Sequence, residues 1–521
     1  MPDRRLLTRL RARLADEAGF SMIVVMIALT VGSLLSIAAL AAATGDFPSA
    51  RKSQDRKSAY GAAESGIQYF NFRLSQNNDY WKTCGDSASG RINTRTIPGS
   101  SQSYTVEFLP ANNATACTTS QPEATMINSA NGTFRIRATG RAGNVYRSIV
   151  ATYRRKSFLD YVYYTTYEVQ DPASTSNPPL YTQYCVTTRS NRPNGCPEIQ
   201  FAGFDKVNGP LHTDDESLLV CPNGTGPIFG RGVNDDIEVT GDDPGYVRNG
   251  SCSGNPVFKG TLQTNSENLG MPSSNSALAA SATAAWTFTG KTTIVLNGAS
   301  INVYDSSCTL VQTGWPSHGI VWVNDGSCSN NPAPPKTDYS ESSGCGNVYV
   351  SGTYGNDLTI GAASDIVVAP SAATVSLTSP LSPTNGSITR SADVVLGLIA
   401  NRFVRVYHPV GWSNGNCTSS NGANAMNTVN IQAAIMSVQH SFIVDNFACG
   451  SQLGALSVTG AIAQKFRGPV GTSGGTGYSK DYNYDDRLHY RNPPFFLDPV
   501  TASWHVIRSN EQVPAARPSG L

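Results

Sequence analysis

The stretch "DEAGFSMIVVMIALTVGSLLSIAALAAATGDF", residues 16–47, decides how the rest of the chain can be placed. Its run from Ser21 to Ala43 carries no charged residue, and a helix of that length spans roughly 30 Å of hydrocarbon at about 1.5 Å per residue. The residues before it include Arg4, Arg5, Arg9, Arg11 and Arg13. Because basic flanks stay cytoplasmic, we predict a single pass through the inner (cytoplasmic) membrane, with the N-terminus inside and the bulk of the chain extracellular.

An ordinary secretory signal is the alternative for the same stretch. Such signals have a shorter apolar region followed by a small-residue cleavage site, and "ALAAATG", residues 39–45, offers Ala-x-Ala sites. Cleavage there would start the mature protein near Thr44 and release it as a secreted adhesin.

The composition argues against a nucleic-acid partner. Charged residues make up 14% of the 521-residue chain, and 38 Lys and Arg nearly cancel 37 Asp and Glu. Nucleic-acid binding needs clustered basic charge to neutralise phosphates. The polar surface must be built instead from Asn, Ser, Thr and the 48 glycines, a mixture common in extracellular β-rich proteins.

The eleven cysteines all follow the apolar stretch, which indicates disulfides in an oxidising compartment. A zinc site would need close Cys or His pairs, and the sequence has none. Sequence neighbours suggest four bridges: Cys84 with Cys117, Cys185 with Cys196, Cys221 with Cys252, and Cys417 with Cys449. Cys308, Cys328 and Cys345 then leave one thiol over, and the connectivity stays open.

Beyond the apolar run, the pattern continues as an amphipathic helix. A helix from Phe20 to Gln76 would be roughly 85 Å long. Small and apolar residues recur in it at three-and-four spacing beside a charged face. The small and apolar residues are Ala59, Ala62, Ala63, Gly66, Ile67, Phe70 and Leu74. The charged face is formed by Arg51, Lys52, Asp55, Arg56 and Lys57.

The cytoplasmic boundary of the apolar run is "EAGF", in which Gly19 precedes Phe20 after a short basic leader. This arrangement resembles the prepilin signal of type IV pilins. The resemblance implies that a prepilin peptidase cuts after Gly19 and that Phe20 becomes a methylated N-terminus. It also implies that the helix is first a membrane anchor and then a packing helix in a filament. The residues of this helix that we single out are Ser21, Met22, Val24 and Ala43.

The tract after the membrane helix narrows the resemblance. "SAYGAAESGIQYF", residues 58–70, and "NDYW", residues 78–81, are similar to the signature of minor pilins of the PilX type. Val24 would be mature position five, where major pilins carry a glutamate. The partners implied by the resemblance are the prepilin peptidase, other pilins and the pilus-assembly machinery.

Three segments after this helix alternate or are β-branched: "YTVEFL", "TFRIRATG" and "VYRSIVATYRR", all within residues 104–155. The turn "GRAGN", residues 140–144, joins the last two. A long helix followed by a small antiparallel sheet is the general plan of a pilin head.

Beyond Phe158, short apolar strands alternate with polar loops. Residues 365–368, 402–406 and 441–444 recur at intervals of nearly forty residues, which fits coils of a parallel β-helix. The region also resembles the right-handed β-helix segments of large PilX-like proteins. A β-sandwich with long loops is the alternative.

The ending "YNYDDRLHYRNPPFFLDP", residues 482–499, belongs to the same resemblance. We expect it to cap the open end of the coils, where an exposed edge and core need covering. The covering residues would be Phe495, Phe496, Leu497 and Trp504.

The predicted fold class is therefore α+β: a long pilin-type helix, a small antiparallel sheet and a mainly-β ectodomain. The predicted parts are a leader at 1–19, a transmembrane and amphipathic helix at 20–76, a small head at 77–157, a β-rich region with disulfide-stapled insertions at 158–340, a β-helix-like region with its cap at 341–505, and a disordered tail at 506–521.

Catalytic and metal-binding motifs are weak. "GWSNG", residues 411–415, matches a hydrolase nucleophile elbow but lies in an Asn-rich loop, and "GTSGG", residues 471–475, lacks the aspartate of trypsin-like proteases. Paired acids stand at 214–215, 235–236, 242–243 and 485–486. Turn formation is the interpretation we favour for them, with calcium binding or acid-base catalysis as alternatives.

We therefore predict a non-enzymatic minor pilin without a cofactor, which displays its ectodomain on the cell surface on a type IV pilus or related filament, for adhesion or filament initiation. Surface glycans are candidate ligands, and no specific nucleic acid is indicated. The alternatives are a membrane-tethered lyase or hydrolase of polysaccharides and a secreted, polysaccharide-binding adhesin.

Overall fold

The computed structural model describes residues 20–521 except 87–90, 129–131, 223–225, 251, 335, 371–385, 473, 490, 501–502 and 519–520. At residues 20–21, 42–48 and 386 it describes the backbone only. Within these ranges the α-helices are α1 (Phe20–Gln76), α2 (Pro122–Met126) and α3 (Pro178–Cys185). Short 3-10 turns lie at Tyr80–Thr83, Phe158–Asp160, Pro172–Ser174, Arg189–Asn191, Ser276–Ala280, Ala284–Trp286 and Asp486–His489.

The strands of the first part of the chain are β1 (Arg91–Thr96), β2 (Ser103–Leu109), β3 (Thr133–Ala142), β4 (Val145–Arg155), β5 (Tyr163–Gln170), β6 (Phe201–Ala202), β7 (Lys206–Asn208), β8 (Leu211–Thr213), β9 (Leu218–Cys221), β10 (Ile228–Phe229), β11 (Asp236–Val239), β12 (Tyr246–Arg248), β13 (Val257–Phe258) and β14 (Thr261–Gln263).

The strands of the second part are β15 (Thr287–Thr289), β16 (Thr292–Gly298), β17 (Ser300–Tyr304), β18 (Leu310–Gly314), β19 (Ile320–Asn324), β20 (Val348–Tyr354), β21 (Leu358–Ala362), β22 (Ile366–Val368), β23 (Gly386–Arg390), β24 (Leu396–Ala400), β25 (Val404–Val406), β26 (Val410–Ser413), β27 (Asn416–Asn421), β28 (Val429–Ser437), β29 (Phe442–Val444), β30 (Gln452–Arg467), β31 (Gly471–Thr472), β32 (Thr476–Tyr484) and β33 (Trp504–Gln512).

The head is an antiparallel sheet in the order β1-β2-β3-β4-β33, with α1 packed across it. Strands β2, β3 and β4 are the three that the sequence predicts, and the α+β class is confirmed. Two predictions about the end of the chain are wrong, because Trp504–Gln512 forms strand β33. The tail predicted to be disordered from residue 506 forms a strand as far as Gln512, and Trp504 packs into the core of the head instead of covering the ectodomain. Both errors have one cause, since the partner strand β4 lies more than 300 residues earlier in the chain.

The ectodomain is built around two long parallel ladders within one 23-stranded sheet. The first ladder runs β15-β19-β21-β24-β28-β30-β5-β8-β11-β14. The second runs β16-β20-β23-β28-β30-β32-β7-β10-β13. Shorter parallel sets are β22-β25-β29 and β12-β9-β6. We call β5–β14 the N-terminal arm and β15–β32 the C-terminal arm.

The beginning and the end of the ectodomain meet in the middle of both ladders. Strand β5 pairs with β30, and β7 pairs with β32, so the first strands of the N-terminal arm continue the last strands of the C-terminal arm. One hydrophobic core extends through both arms. The predicted boundary at 340/341 falls within the C-terminal arm, between β19 and β20. Because β32 is an interior strand, residues 482–484 do not cap an open end as predicted.

The recurrence predicted for residues 365–368, 402–406 and 441–444 corresponds to strands β22, β25 and β29. Ile366 pairs with Val404 and Val404 pairs with Phe442, so each step is 38 residues. Side chains at these three positions are buried in the shared core.

Residues 264–286 cross from the end of the N-terminal arm to the start of the C-terminal arm along the outer face of the first ladder. Leu269 and Leu278 of this crossing segment are buried against Trp322, Ile399 and other residues of that face. The amide of Asn275 donates to the carbonyl oxygens of Ala362 (2.8 Å) and Ile399 (3.0 Å). The segment therefore binds the strands of the C-terminal arm together from outside.

Five disulfides lie among the described residues: Cys84–Cys117, Cys185–Cys196, Cys221–Cys252, Cys328–Cys345 and Cys417–Cys449. Four of them join the cysteines that sequence neighbourhood pairs, and Cys328–Cys345 resolves the choice that the sequence leaves open. Cys308 is exposed and lies outside these bridges.

Candidate membrane helix and its junctions

The first half of α1 is apolar and faces outward. The segment Met22–Ala41 has a mean hydropathy of 2.5 with none of its window buried, and it is the one described helix long and apolar enough to cross a membrane. A helix that exposes this much apolar surface needs a membrane or other helices around it. The segment therefore fits a membrane-anchored protein.

The structure describes the predicted site residues of this helix to different extents. Gly19 lies outside the described residues. Phe20 is the first residue of α1, and Phe20, Ser21 and Ala43 are described by their helical backbone only. Met22 and Val24 are 73% and 52% exposed on the apolar half.

The second half of α1 packs on the head through its smallest residues. Ala59, Ala62 and Ala63 are fully buried, and they face Gly140 of β3. A Cβ on Gly140 would collide with the helix backbone at Ala59 and Ala63, and it would lie 2.8 Å from the Cβ of Ala62. The tract "SAYGAAESG" thus allows the helix backbone to approach the sheet more closely than larger side chains permit. The buried aromatic and aliphatic residues of the helix, which include Ile67, Phe70 and Leu74, continue the same face.

The "NDYW" tract, residues 78–81, packs against the C-terminal strand β33 of the head. Trp81 is buried and lies in edge-to-face contact with Trp504, at 5.7 Å between ring centroids. The Trp504 indole N–H donates to the carbonyl oxygen of Asn78 at 3.1 Å, and its ring lies 4.6 Å from that of Phe134. The tract therefore binds a residue from the far end of the chain.

A buried charged cluster joins the head to the ectodomain. His212 on β8 is fully buried, with Nδ1 2.8 Å from Glu238 of β11 and Nε2 3.0 Å from Asp214. Glu238 also accepts two hydrogen bonds from Lys156, at the end of the head, and one from Tyr161.

Asp214 extends this cluster to the crossing segment. It accepts hydrogen bonds from the backbone N–H groups of Leu269 (2.9 Å) and Gly270 (3.0 Å) and from the hydroxyl of Tyr164 (2.5 Å). The cluster is the place where the head, the first ladder and the crossing segment are held together.

The geometry of the cluster favours a protonated imidazole. Both ring nitrogens face carboxylates, and a neutral ring has a hydrogen on only one nitrogen. Burial alone would lower the pKa of His212, but the hydrogen bonds to Asp214 and Glu238 outweigh burial and raise its pKa above 6.5. Burial would raise the pKa of Glu238, whereas His212 and Lys156 lower it to about 2.

We predict that the free energy of unfolding falls as the pH rises above neutrality. The contribution of His212 is complete below its unfolded pKa of 6.5 and is lost as the pH rises through the raised folded pKa. Glu238 acts in the opposite sense: its contribution is complete above 4.5 and is lost as the pH falls toward its folded pKa of about 2. His212→Gln should flatten the alkaline slope and cost about 3–5 kcal/mol at slightly acid pH, because it leaves buried carboxylates uncompensated.

Thermal unfolding of the wild type and His212→Gln between about pH 5 and pH 9 checks this prediction. His318→Gln is the matched control, since His318 is exposed and has one backbone contact, to the carbonyl oxygen of Ser281. Identical slopes for the wild type and His212→Gln would contradict it.

Seven of the eight paired acids bind partners within the chain through their side chains; for Asp242 the structure shows a backbone contact, between its carbonyl oxygen and the N–H of Gly245. Asp214 and Asp215 accept bonds from His212 and Arg192 respectively. The other contacts are Asp235 and Asp486 with Arg231, Asp236 with Gln263, Asp243 with Thr264, and Asp485 with Arg390 and Arg487. Among the described residues, no group of three His, Cys, Asp or Glu side chains is arranged to hold a metal ion.

The "GWSNG" motif does not have the backbone of a nucleophile elbow. Residues 411–415 lie on the antiparallel hairpin β26–β27, whereas the elbow needs a strand-to-helix turn in a parallel sheet. Residues 471–475 lie at β31 and the turn before β32, and Ser473 is outside the described residues.

Together these features define a class: an α+β protein with one candidate membrane helix, a helix-on-sheet head and a mainly-β ectodomain. No family model and no curated protein matches the chain. Among solved structures it is similar to the competence-associated pilin ComZ from Thermus thermophilus, at 10% identity and a TM-score of 0.27, over 89% of this chain and 98% of that chain. A likeness at this level does not establish a common fold.

Proposed function

We propose that the chain is a minor pilin, which displays its ectodomain on a type IV pilus or related filament for adhesion or filament initiation. The observation that carries the proposal is α1 itself. Its exposed apolar half, Met22–Ala41, continues without a break into a half that is buried against the head. An anchor alone does not need a helix that enters the core of the outer domain, whereas a filament subunit needs its packing helix rigidly joined to its head.

The PilX type and the prepilin leader belong to the proposal on the strength of the sequence. "EAGF" at the cytoplasmic end gives the peptidase its cleavage point, Gly19 and Phe20. The close fit of Ala59, Ala62 and Ala63 against Gly140 supports reading "SAYGAAESG" as a head-docking tract. The partners are then the prepilin peptidase, other pilins and the assembly machinery, in the inner membrane first and at the cell surface afterwards.

We further propose that the ladders are the sides of a parallel β-helix, right-handed as the sequence resemblance implies. Each strand of a β-helix pairs in parallel with its equivalents in the neighbouring coils, and the 38-residue steps from Ile366 to Val404 to Phe442 have that form. Sheets of a β-sandwich are antiparallel, so the pairings favour the β-helix over that alternative. In this arrangement the two arms lie on opposite sides of the β5–β30 junction, and the chain advances through the coils of both arms in the same direction.

The proposal includes no catalytic step and no calcium ion. It is supported by the ion pairs that Asp215, Asp235, Asp485 and Asp486 make within the chain, which commit those carboxylates to the fold. The ectodomain would then act by binding.

The test of the pilin assignment is Gly19→Val. The proposal predicts that this substitution blocks removal of the leader, because a bulky side chain should not fit the peptidase site beside the scissile bond. Intact-mass measurement and N-terminal sequencing of the membrane-bound protein give the result: the wild type should begin at a methylated Phe20, and the variant should keep Met1.

Three other outcomes decide against the assignment. A wild-type protein that begins near Thr44 supports a secreted adhesin, an intact Met1 in the wild type supports a simple anchor, and normal processing of Gly19→Val contradicts the prepilin interpretation.

A further inference from the structure

The hairpin β26–β27 stands apart from the ladders that build the ectodomain. It forms a two-stranded antiparallel sheet of its own, so no strand of the shared core depends on it. Its tip is Asn414–Gly415, and both residues have positive φ (50° and 73°), as a two-residue turn of this kind requires. Insertions of this sort on a regular scaffold commonly carry binding residues.

The hairpin is nevertheless held rigidly. Cys417 on β27 is bridged to Cys449, in the turn after β29. The N–H of Gly450 donates to the carbonyl oxygen of Thr418 at 2.9 Å, and the side chain of Asn421 exchanges hydrogen bonds with Ser451. A rigid site loses less conformational entropy when it binds a ligand.

Trp412 is presented on this hairpin directly opposite Cys417. It is 38% exposed, and it is the exposed member of the six tryptophans, all of which are described. Its indole N–H has no hydrogen-bond partner among the described residues. A buried core explains the positions of Trp81, Trp286 and Trp322, but no packing requirement explains an indole face held in solvent.

The sequence on both sides of Trp412 is uncharged. No Asp, Glu, Lys or Arg stands between Arg405 and Asp445. The exposed residues of the hairpin are amides and hydroxyls: Ser413, Asn414, Asn416, Ser419 and Ser420. Such a surface offers donors and acceptors without charge, which suits a neutral polar ligand. A nucleic acid would need basic residues, and a membrane surface would need several exposed apolar or basic ones.

We propose that the hairpin β26–β27 binds a neutral polysaccharide, with Trp412 as the platform on which one sugar ring stacks. The face of a hexose presents C–H groups to the indole ring, while its hydroxyls at the ring edge reach the surrounding Asn and Ser side chains. The proposal names neutral polysaccharides as the class of ligand that the ectodomain binds. It does not depend on the pilin assignment, because binding is measured on the isolated protein whether or not it enters a filament.

The experiment measures tryptophan fluorescence and heat of binding for the full-length protein in a sugar-free detergent. The probes are cellohexaose and chitohexaose as neutral chains, hexagalacturonate as an anionic chain, and vesicles of phosphatidylglycerol with phosphatidylcholine. We expect a neutral hexasaccharide to bind and to change the Trp412 emission. Trp412→Ala should weaken that binding at least about tenfold, and Trp412→Phe should weaken it less.

Phe72→Ala is the matched control, because Phe72 is a 60% exposed aromatic on α1 of the head, outside the ectodomain. It should leave binding unchanged, and the unfolding temperatures of Trp412→Ala and the wild type should coincide. Equal binding by Trp412→Ala and the wild type overturns the proposal. Failure of both neutral chains to bind, or binding confined to hexagalacturonate or to vesicles, also overturns it.

Discussion

A chain that ends at Ser503 is expected to lose the folded head, although it keeps α1 and strands β1–β4. The deletion removes β33, which pairs with β4 from Trp504 to Gln512, and it exposes that side of the sheet to water. It also removes Trp504, which packs against Phe134 and Trp81. Truncation of a fully buried tryptophan costs about 3–5 kcal/mol; Trp504 is partly buried, and its loss adds to that of a whole strand, against the roughly 5–15 kcal/mol that holds a typical domain folded.

Hydrogen exchange of the full-length protein in detergent measures this effect. Amides of β4 should exchange rapidly in the chain that ends at Ser503 and remain protected in a chain that ends at Gln512, which keeps β33. Trp504→Ala should reduce the protection of β4, whereas the same substitution at the exposed Trp412 should not. Unchanged protection of β4 without β33 would show that the head folds without its fifth strand.

The same pairing sets an order of folding. Because the partner strand of β4 lies near the end of the chain, the head cannot be completed until the whole ectodomain has been synthesised. The junctions β5–β30 and β7–β32 impose a similar delay on the ectodomain. Contacts so distant in sequence cost loop-closure entropy before they bring any stability, so folding of this protein should be slow.

Local patterns in the sequence predict the local parts of this fold. Three-and-four spacing from Ala59 to Leu74 identifies the face of α1 that the head buries. Alternation gives β2, β3 and β4, and the recurrence at residues 365–368, 402–406 and 441–444 gives three paired strands. In each case the decisive contacts are made within one element or between equivalent positions of a repeat.

The parts that the sequence does not reveal depend on distant partners. "WHVIRSNEQ" has a weak, mostly polar alternation, and only its pairing with β4 makes it a strand. His212 and Glu238 are separated by 26 residues, and Lys156 lies in a third segment. The sequence signal for this cluster is "LHTDD", residues 211–215, in which a histidine stands beside paired acids on a short apolar strand. It indicates an ion pair but does not identify Glu238 as the second carboxylate.

Gly140→Ala is expected to have an effect out of proportion to the one methyl group it adds. The new Cβ would meet the backbone of α1 at Ala59 and Ala63, and backbone of a long helix cannot move aside as a flexible side chain can. The helix must therefore shift away from β3 along its whole buried face. We expect a loss of about 3 kcal/mol or more in the free energy of unfolding of the head.

The matched control is Gly61→Ala, on the same tract of α1 but at a position where a Cβ would have nothing within 4 Å. That substitution should be neutral or stabilise the protein by up to about 1 kcal/mol, because alanine is the better helix former. Thermal unfolding and protease sensitivity of the two variants in detergent separate the effects. Under the proposed pilin function, in which the close fit sets the angle between α1 and the head, Gly140→Ala should lower the amount of this protein in sheared filaments even at temperatures where it stays folded, while Gly61→Ala should not. Equal stability of the two alanine variants would contradict the assignment of "SAYGAAESG" as the docking tract for the head.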